Sequence, residues 1–284
     1  MATVRRTGGR RRELVSCHAL DGDREAQKQV IHGWLSDDRA DLGAVSGVLD
    51  AADYQLLLVE SPDVLPAELR AAVRWRLKDN IDFPVEEAVV DVFDIPEQSR
   101  HAGTKMMYTI AAKRQAIEAN VSLLRAAQGF DVIDIPEMAL RNLASHLPEA
   151  EEGLILLWLG RESARLLVIK EATLYLTRHV QFASGEPAAD GHPGPDVAAI
   201  ALELQRSIDY FESHYEQATI DHLIIAPPGP EADRLSRALA SETSMRIQAL
   251  DLGRAIDLGA VPVPTDGRTL LAIGGALRES PKKL

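Results

Sequence analysis

Three apolar segments, Leu154–Leu159, Ala164–Ile169 and Ala172–Phe182, follow one another with only a few residues between them. Connections that short cannot carry the chain back to a parallel start, so the three read as antiparallel neighbours in one sheet. A loop rich in Gly, Pro and Ala, Ser184–Pro195, comes next. It leads to a helix with Val197, Ile200, Leu204, Ile208, Phe211 and Tyr215 at three- and four-residue steps. Ile220–Ala226 then reads as a strand, Glu231–Ala240 as a helix, Met245–Ala249 as a strand and Thr269–Arg278 as a closing helix.

The first half repeats this order less completely. Glu13–Leu20 reads as a strand, and Arg24–Leu35 as a helix with Ala26, Val30, Ile31 and Trp34 on one face. Val45–Leu49 is a short strand, and Tyr54–Val59 a continuous apolar run of the kind buried on both faces. Pro66 opens a helix through Leu69, Val73, Leu77 and Ile81, which Pro84 ends. Strands follow at Ala88–Ile95 and Lys105–Ala112, then a helix from Arg114 to Gln128 with Gly129 at its C-cap. The strand Phe130–Ile135 runs through Pro136 into a helix carrying Met138, Leu140, Leu143 and Leu147. Leu147–Gly153, with Pro148 and a cluster of glutamates, marks a boundary between a first lobe at 1–150, with an inserted subdomain, and a second at 151–284.

The 284 residues suffice for two such lobes. A net charge of −12 argues against a nucleic-acid-binding body, because a polyanion would be repelled. The one basic cluster, Arg5, Arg6, Arg10, Arg11 and Arg12, reads as a solvated chain end before it reads as a lipid- or RNA-binding arm. A single cysteine, Cys17, excludes an intrachain disulfide and a thiolate-rich metal site, which suits a reducing cytoplasm. Apolar runs such as Leu154–Leu159 fall far short of the roughly 20 residues a membrane span needs, so attachment to a membrane would come through a partner.

A duplicated strand-strand-strand-helix-strand-helix order points to the two-lobed, ribonuclease H-like fold of the actin superfamily, an expectation about fold alone. Three segments make the likeness specific: Leu69-Arg70-Ala71-Ala72-Val73-Arg74-Trp75-Arg76-Leu77-Lys78-Asp79, continuing Ile81-Asp82-Phe83-Pro84-Val85-Glu86-Glu87-Ala88; Ile133-Asp134-Ile135-Pro136-Glu137-Met138-Ala139-Leu140-Arg141-Asn142; and Leu204-Gln205-Arg206-Ser207-Ile208-Asp209-Tyr210-Phe211-Glu212. They resemble the MshI family of type IV (MSHA-type) pilus biogenesis proteins, relatives of PilM and of the cytoplasmic domain of GspL. The resemblance implies an actin-like scaffold beneath an inner-membrane assembly platform, either of a pilus or of type II secretion. Its implied partner is the cytoplasmic N-terminal peptide of a single-span inner-membrane protein, and an assembly ATPase is a further one. Family members begin with a β-hairpin bearing the first phosphate turn. Met1–Arg6 resembles the tail of that hairpin's second strand, so the first lobe is expected to lack its N-terminal strand.

Actin-like ATP and magnesium binding needs a second glycine turn with an Asp ahead of the glycine to hold magnesium through water. The corresponding turn here is Trp158-Leu159-Gly160-Arg161-Glu162-Ser163, with apolar residues where that Asp would stand. Gly160 and Ser163 remain candidates for a phosphate, or are an ordinary hairpin turn. Gly274 and Gly275 match the place where the actin superfamily lets backbone approach adenosine ahead of its last helix, or a tight packing turn. No catalytic residues and no metal set emerge: His214 lacks a second ligand at zinc spacing, and Glu86-Glu87 and Glu149–Glu152 read as solvated faces. The expected function is therefore docking, with a degenerate nucleotide site. The rival is a slow ATPase using Gly160, Ser163, Gly274 and Gly275 between the lobes. Peptides bind by apolar anchors in a groove or by pairing with a strand edge. For the partner peptide, Ile81, Phe83 and Val85 are the expected contacts, beside the strands 88–95 and 105–112.

Overall fold

The structure is a computed structural model that describes residues 1–7, 12–21, 24–35, 43–96, 105–125, 130–182, 194–215, 219–262 and 264–279. The chain forms two compact units. One comprises Met1–Ala19 and Glu137–Leu277, and the other Leu20–Pro136 together with the residues from Arg278. The break expected at Leu147–Gly153 lies inside the first of these units.

The chain starts with a hairpin of β1 (Ala2–Arg6) and β2 (Arg12–Cys17), antiparallel, with Ala2 opposite Cys17 and Arg6 opposite Arg12. Met1–Arg6 thus forms the first strand of the hairpin seen here. Leu14 is its buried residue, and its amide donates to the Asp257 carbonyl at 2.7 Å, tying the hairpin to the later part of the same unit. Of the expected basic arm, Gly8, Gly9, Arg10 and Arg11 lie outside the described residues, as do Gly129 and most of the loop 184–195.

In the second unit, α1 (Arg24–Leu35) and β3 (Val45–Val48) precede β4 (Tyr54–Glu60) and α2 (Leu69–Arg76). β5 (Ala88–Asp94), β6 (Met106–Lys113), α3 (Arg114–Leu124) and β7 (Phe130–Asp134) follow. β4, β6 and β5 make a three-stranded antiparallel sheet with β6 in the centre, and β3 pairs in parallel with β7. Tyr54–Val59 was expected to be buried on both faces. It is an edge strand, and only Tyr54 is buried, while Leu57 and Val59 pack on a single core. That core joins Val73 and Leu77 of the α2 segment to Val85, Val92, Met107 and Ala111. α2 stops at Arg76, short of Ile81, because the Asn80 side chain donates to the Arg76 carbonyl at 2.9 Å and takes an acceptor that the next turn would have used. Among the described residues the expected apolar face of α1 is only partly covered: Ala26 and Val30 are exposed, Ile31 and Trp34 half-buried.

The first unit resumes at α4 (Pro136–Ala144), then β8 (Leu154–Leu159), β9 (Ser163–Lys170) and β10 (Thr173–Gln181). α5 (Val197–Tyr215), β11 (His222–Ala226), α6 (Pro230–Leu239), β12 (Arg246–Ala249), α7 (Leu252–Ala255) and α8 (Gly267–Ala276) complete it. The sheet order is β10-β9-β8-β11-β12, with β8, β9 and β10 antiparallel as their short connections require, and β11 parallel to both β8 and β12. The β9–β10 turn is formed by Glu171 (φ 48°) and Ala172 (φ 60°), two left-handed residues that match the twist of a tight hairpin. One sheet face packs on Ile200, Leu204, Phe211 and Tyr215 of α5 and on Ala232, Leu235 and Leu239 of α6. The other face carries Leu154, Leu156 and Trp158, and all three are buried.

Candidate functional site

The first unit has a topological switch. β8 hands the chain to β9 on one side, while its parallel neighbour β11 hands it through α6 to β12 on the other. In open α/β sheets the crevice outside the carboxyl ends of two such strands is where ligands bind. Here those ends are Trp158-Leu159-Gly160 and Ala226-Pro227-Pro228-Gly229. The Ala226–Pro227 peptide is cis, and Gly229 (φ +151°) is the N-cap of α6. Sequence reasoning passed over this second turn, although a Pro-Pro-Gly-Pro string behind an apolar strand was a visible signal.

Trp158 fills this place. It is buried, and a Cβ built on Gly267 at the start of α8 would lie 3.0 Å from its Cζ2 and 3.5 Å from Pro227 Cγ. The absence of a side chain at 267 lets the α8 N-terminus lie against the indole. That N-terminus is already served, since the Asp266 carboxylate accepts from the Arg268 amide at 2.7 Å and is clamped by the Arg268 guanidinium. Hydrogen bonding to Arg268 holds the Asp266 carboxyl below its ordinary range, against the opposing effect of burial.

Gly160 closes the β8–β9 turn, its amide donating to the Ser163 carbonyl at 2.8 Å, and a Cβ there would sit 2.9 Å from that oxygen. The turn geometry by itself explains the glycine. Gly274 and Gly275 do not precede the last helix; they are buried in its final turns. A Cβ on Gly274 would lie 2.1 Å from the Ala139 carbonyl oxygen of α4, and Asn142 Nδ2 donates to the Gly274 carbonyl at 3.1 Å. These glycines are a helix-crossing point inside the closing helix expected over Thr269–Arg278, in place of the tight packing turn.

The buried carboxylates nearby are held by arginines. Glu137 pairs with Arg165 at 3.2 Å, on the β9 residue opposite Trp158. Glu149 receives Arg254 Nη2 at 2.7 Å and Gln248 Nε2 at 2.8 Å. Burial raises the Glu149 carboxyl, but hydrogen bonds from the backbone, Gln248 and Arg254, with the charge of Arg254, outweigh it and leave it lowered. The Glu149 carboxyl is thus kept ionised by its partners, the opposite of a proton donor poised near neutrality. Among the described residues no three His, Cys, Asp or Glu side chains come together as a metal-ion cluster.

In the second unit the expected peptide contacts join the core. Val85 is 7% exposed, and Ile81 and Phe83 are half-buried against the Val73–Leu77 cluster. What this unit presents instead is the edge of β5 beside α2, with a groove of about 350 Å³ between them. Trp75, 77% exposed, and Leu65 stand out on α2 and on the segment before it. No helix among the described residues is long and apolar enough to cross a membrane.

No protein-family model matches the chain, and no curated protein matches it in sequence. Solved structures do match. A chain of the PilM–PilN type IV pilus biogenesis complex superposes with a TM-score of 0.66 at 18% identity, over 97% of this chain and 94% of that one. The cytoplasmic domain of EpsL, an inner-membrane component of the type II secretion system of Vibrio cholerae, gives 0.48 at 15% identity, over 94% of this chain and 85% of that one. A Bacteroides thetaiotaomicron protein with an actin-like ATPase fold gives 0.47 at 8% identity, over 82% and 77%. The chain has the actin-like α/β fold expected from its sequence.

Proposed function

We propose that this chain is a cytoplasmic docking protein of a type IV pilus or type II secretion assembly platform, and within that class an MshI-type component of an MSHA-like pilus. Its partner in this reading is the cytoplasmic N-terminal peptide of a single-span inner-membrane protein, which would hold the chain at the membrane. The observation that carries the reading is the likeness to a chain of the PilM–PilN complex over 97% of the present chain. The edge of β5, which pairs on one side only among the described residues, supports it, since main-chain pairing at such an edge is a general mode of peptide capture.

The same reading takes the nucleotide site as degenerate. Magnesium anchoring in an actin-like site uses an acidic side chain on the β8–β9 turn, and here the turn offers Trp158 and Leu159, with the indole packed into the crevice. For a phosphate that turn still offers Arg161, Ser163 and backbone amides. The rival, a slow ATPase, needs an acid that the arginine-held Glu137 and Glu149 do not supply. Phosphate release with ATP and magnesium separates the two. The docking reading expects a rate indistinguishable from that of a Gly160→Glu control, and a clear magnesium-dependent excess over that control would establish the ATPase.

A further inference from the structure

The groove between α2 and β5 has a specific chemistry. Its helix wall is Arg70, Ala71 and Arg74, one face of α2, and its floor is Ala88, Val89 and Val90 at the start of β5. Arg114, the first residue of α3, closes one end. Among the described residues three guanidiniums and four small apolar side chains line it, with the Asp91 carboxylate beside it on Arg70, in a chain of net charge −12.

The three arginines differ in commitment. Arg74 Nη2 donates to the Val85 and Glu86 carbonyls at 2.7 and 3.0 Å, fixing the segment that leads into β5. Arg70 Nε pairs with Asp91 at 2.7 Å, but both side chains are 58% exposed, so water and an incoming carboxylate compete for that pair on equal terms. Arg114 is exposed, and among the described residues it makes no hydrogen bond or ion pair. It opens a helix whose N-cap residue, Lys113, gives no side-chain cap and whose first turn holds no acid, so the helix dipole adds to the positive charge there. Beside these charges runs β5, which among the described residues pairs with β6 on one side only.

We propose that this groove takes an extended acidic segment of a partner protein, its main chain along the β5 edge and its carboxylates on Arg114 and Arg70. Small floor residues leave room for a backbone, and the guanidinium fork suits carboxylate oxygens. The proposal rests on the reading of the chain as a docking protein and names the site and the partner's chemistry. It moves the contact from Ile81, Phe83 and Val85 to the neighbouring edge.

The test is fluorescence anisotropy of the folded chain with a labelled peptide of alternating valine and glutamate, beside counterparts in which glutamate becomes glutamine or lysine. The glutamate peptide is expected to bind, and the glutamine one about tenfold more weakly, the usual worth of a charge-assisted hydrogen bond. Arg114→Glu should cost about tenfold as well, and Arg114→Gln less. Circular dichroism of these exposed-site variants, and Arg246→Glu on the other unit with binding unchanged, separate binding from folding. Equal binding of the glutamine peptide, indifference to Arg114→Glu, or no binding by the folded chain overturns the proposal, as would an Arg114→Glu effect on self-association alone. If platform peptides are captured without regard to Arg114, the groove assignment fails while docking stands. If none is captured but the acidic peptide binds with the stated charge dependence, docking to a platform fails and the groove stands.

Discussion

Replacing Gly274 by alanine asks whether the glycines of α8 serve packing or a ligand. The new Cβ would lie 2.1 Å from the Ala139 carbonyl oxygen, whereas a relaxed carbon–oxygen contact is about 3.3 Å, so α8 and α4 must part by roughly 1.2 Å. Overpacking of that kind costs about 1–3 kcal/mol or more. Parting the helices also stretches the buried bond from Asn142 to the Gly274 carbonyl, at a further cost of about 1 kcal/mol or more. Alanine returns only about 1 kcal/mol of helix propensity. The net is a loss of about 1–3 kcal/mol, which at a urea slope of about 2 kcal/mol/M moves the midpoint down by about 0.5–1.5 M. Of the three tryptophans, Trp158 alone lies in that unit, so its fluorescence in a Trp34→Phe/Trp75→Phe background reports the transition. Gly33 of α1 has nothing within 4 Å of its built Cβ, and Gly33→Ala should stabilise its own unit by about 0.5–1 kcal/mol. A Gly274→Ala protein that unfolds at the wild-type midpoint would refute the packing account.

Thr109 lies fully buried in the centre of β6 with no partner for its hydroxyl among the described residues, so Thr109→Val should raise stability by about 1 kcal/mol in thermal unfolding. Glu171 and Ala172 both adopt left-handed conformations, and Glu171→Asn with Ala172→Gly should add about 1 kcal/mol or more in the same assay. The Glu149 carboxyl is lowered in the folded state, so its contribution is complete above the unfolded glutamate pKa of about 4.3 and is lost as pH falls through the lower folded value. Urea midpoints measured from pH 6 downward should therefore drop less steeply for Glu149→Gln than for the wild type.

Much of the fold was legible because it rests on local rules. The β8–β9–β10 meander follows from connections too short for anything else, and the α5 stripe buries Ile200, Leu204, Phe211 and Tyr215 where the spacing placed them. The misreadings are tertiary. Tyr54–Val59 has the composition of a central strand but sits on an edge, which no local pattern encodes. Gly274 and Gly275 could equally have served a turn or a helix crossing, and only the position of Ala139 decides. Val85, expected as a peptide contact, is buried, and an apolar residue in a distinctive motif carries no mark of which side it faces. The division of the chain at residues 136 and 137 falls at the start of α4, where the sequence shows no linker composition. The crevice could have been found from the Pro-Pro-Gly-Pro turn behind β11, but its filling by Trp158 depends on a contact with Gly267 that is far away in sequence.

The central claim, a docking protein and not a working ATPase, is tested most directly by calorimetric titration of the folded chain with synthetic cytoplasmic N-terminal peptides of single-span pilus and secretion platform proteins, with and without ATP and magnesium. The account predicts saturable binding of at least one peptide, weakened by a charge placed on the β5 edge at Val89 and unchanged by nucleotide. Failure of every peptide to bind a folded sample would contradict it, as would binding that appears only with ATP and magnesium.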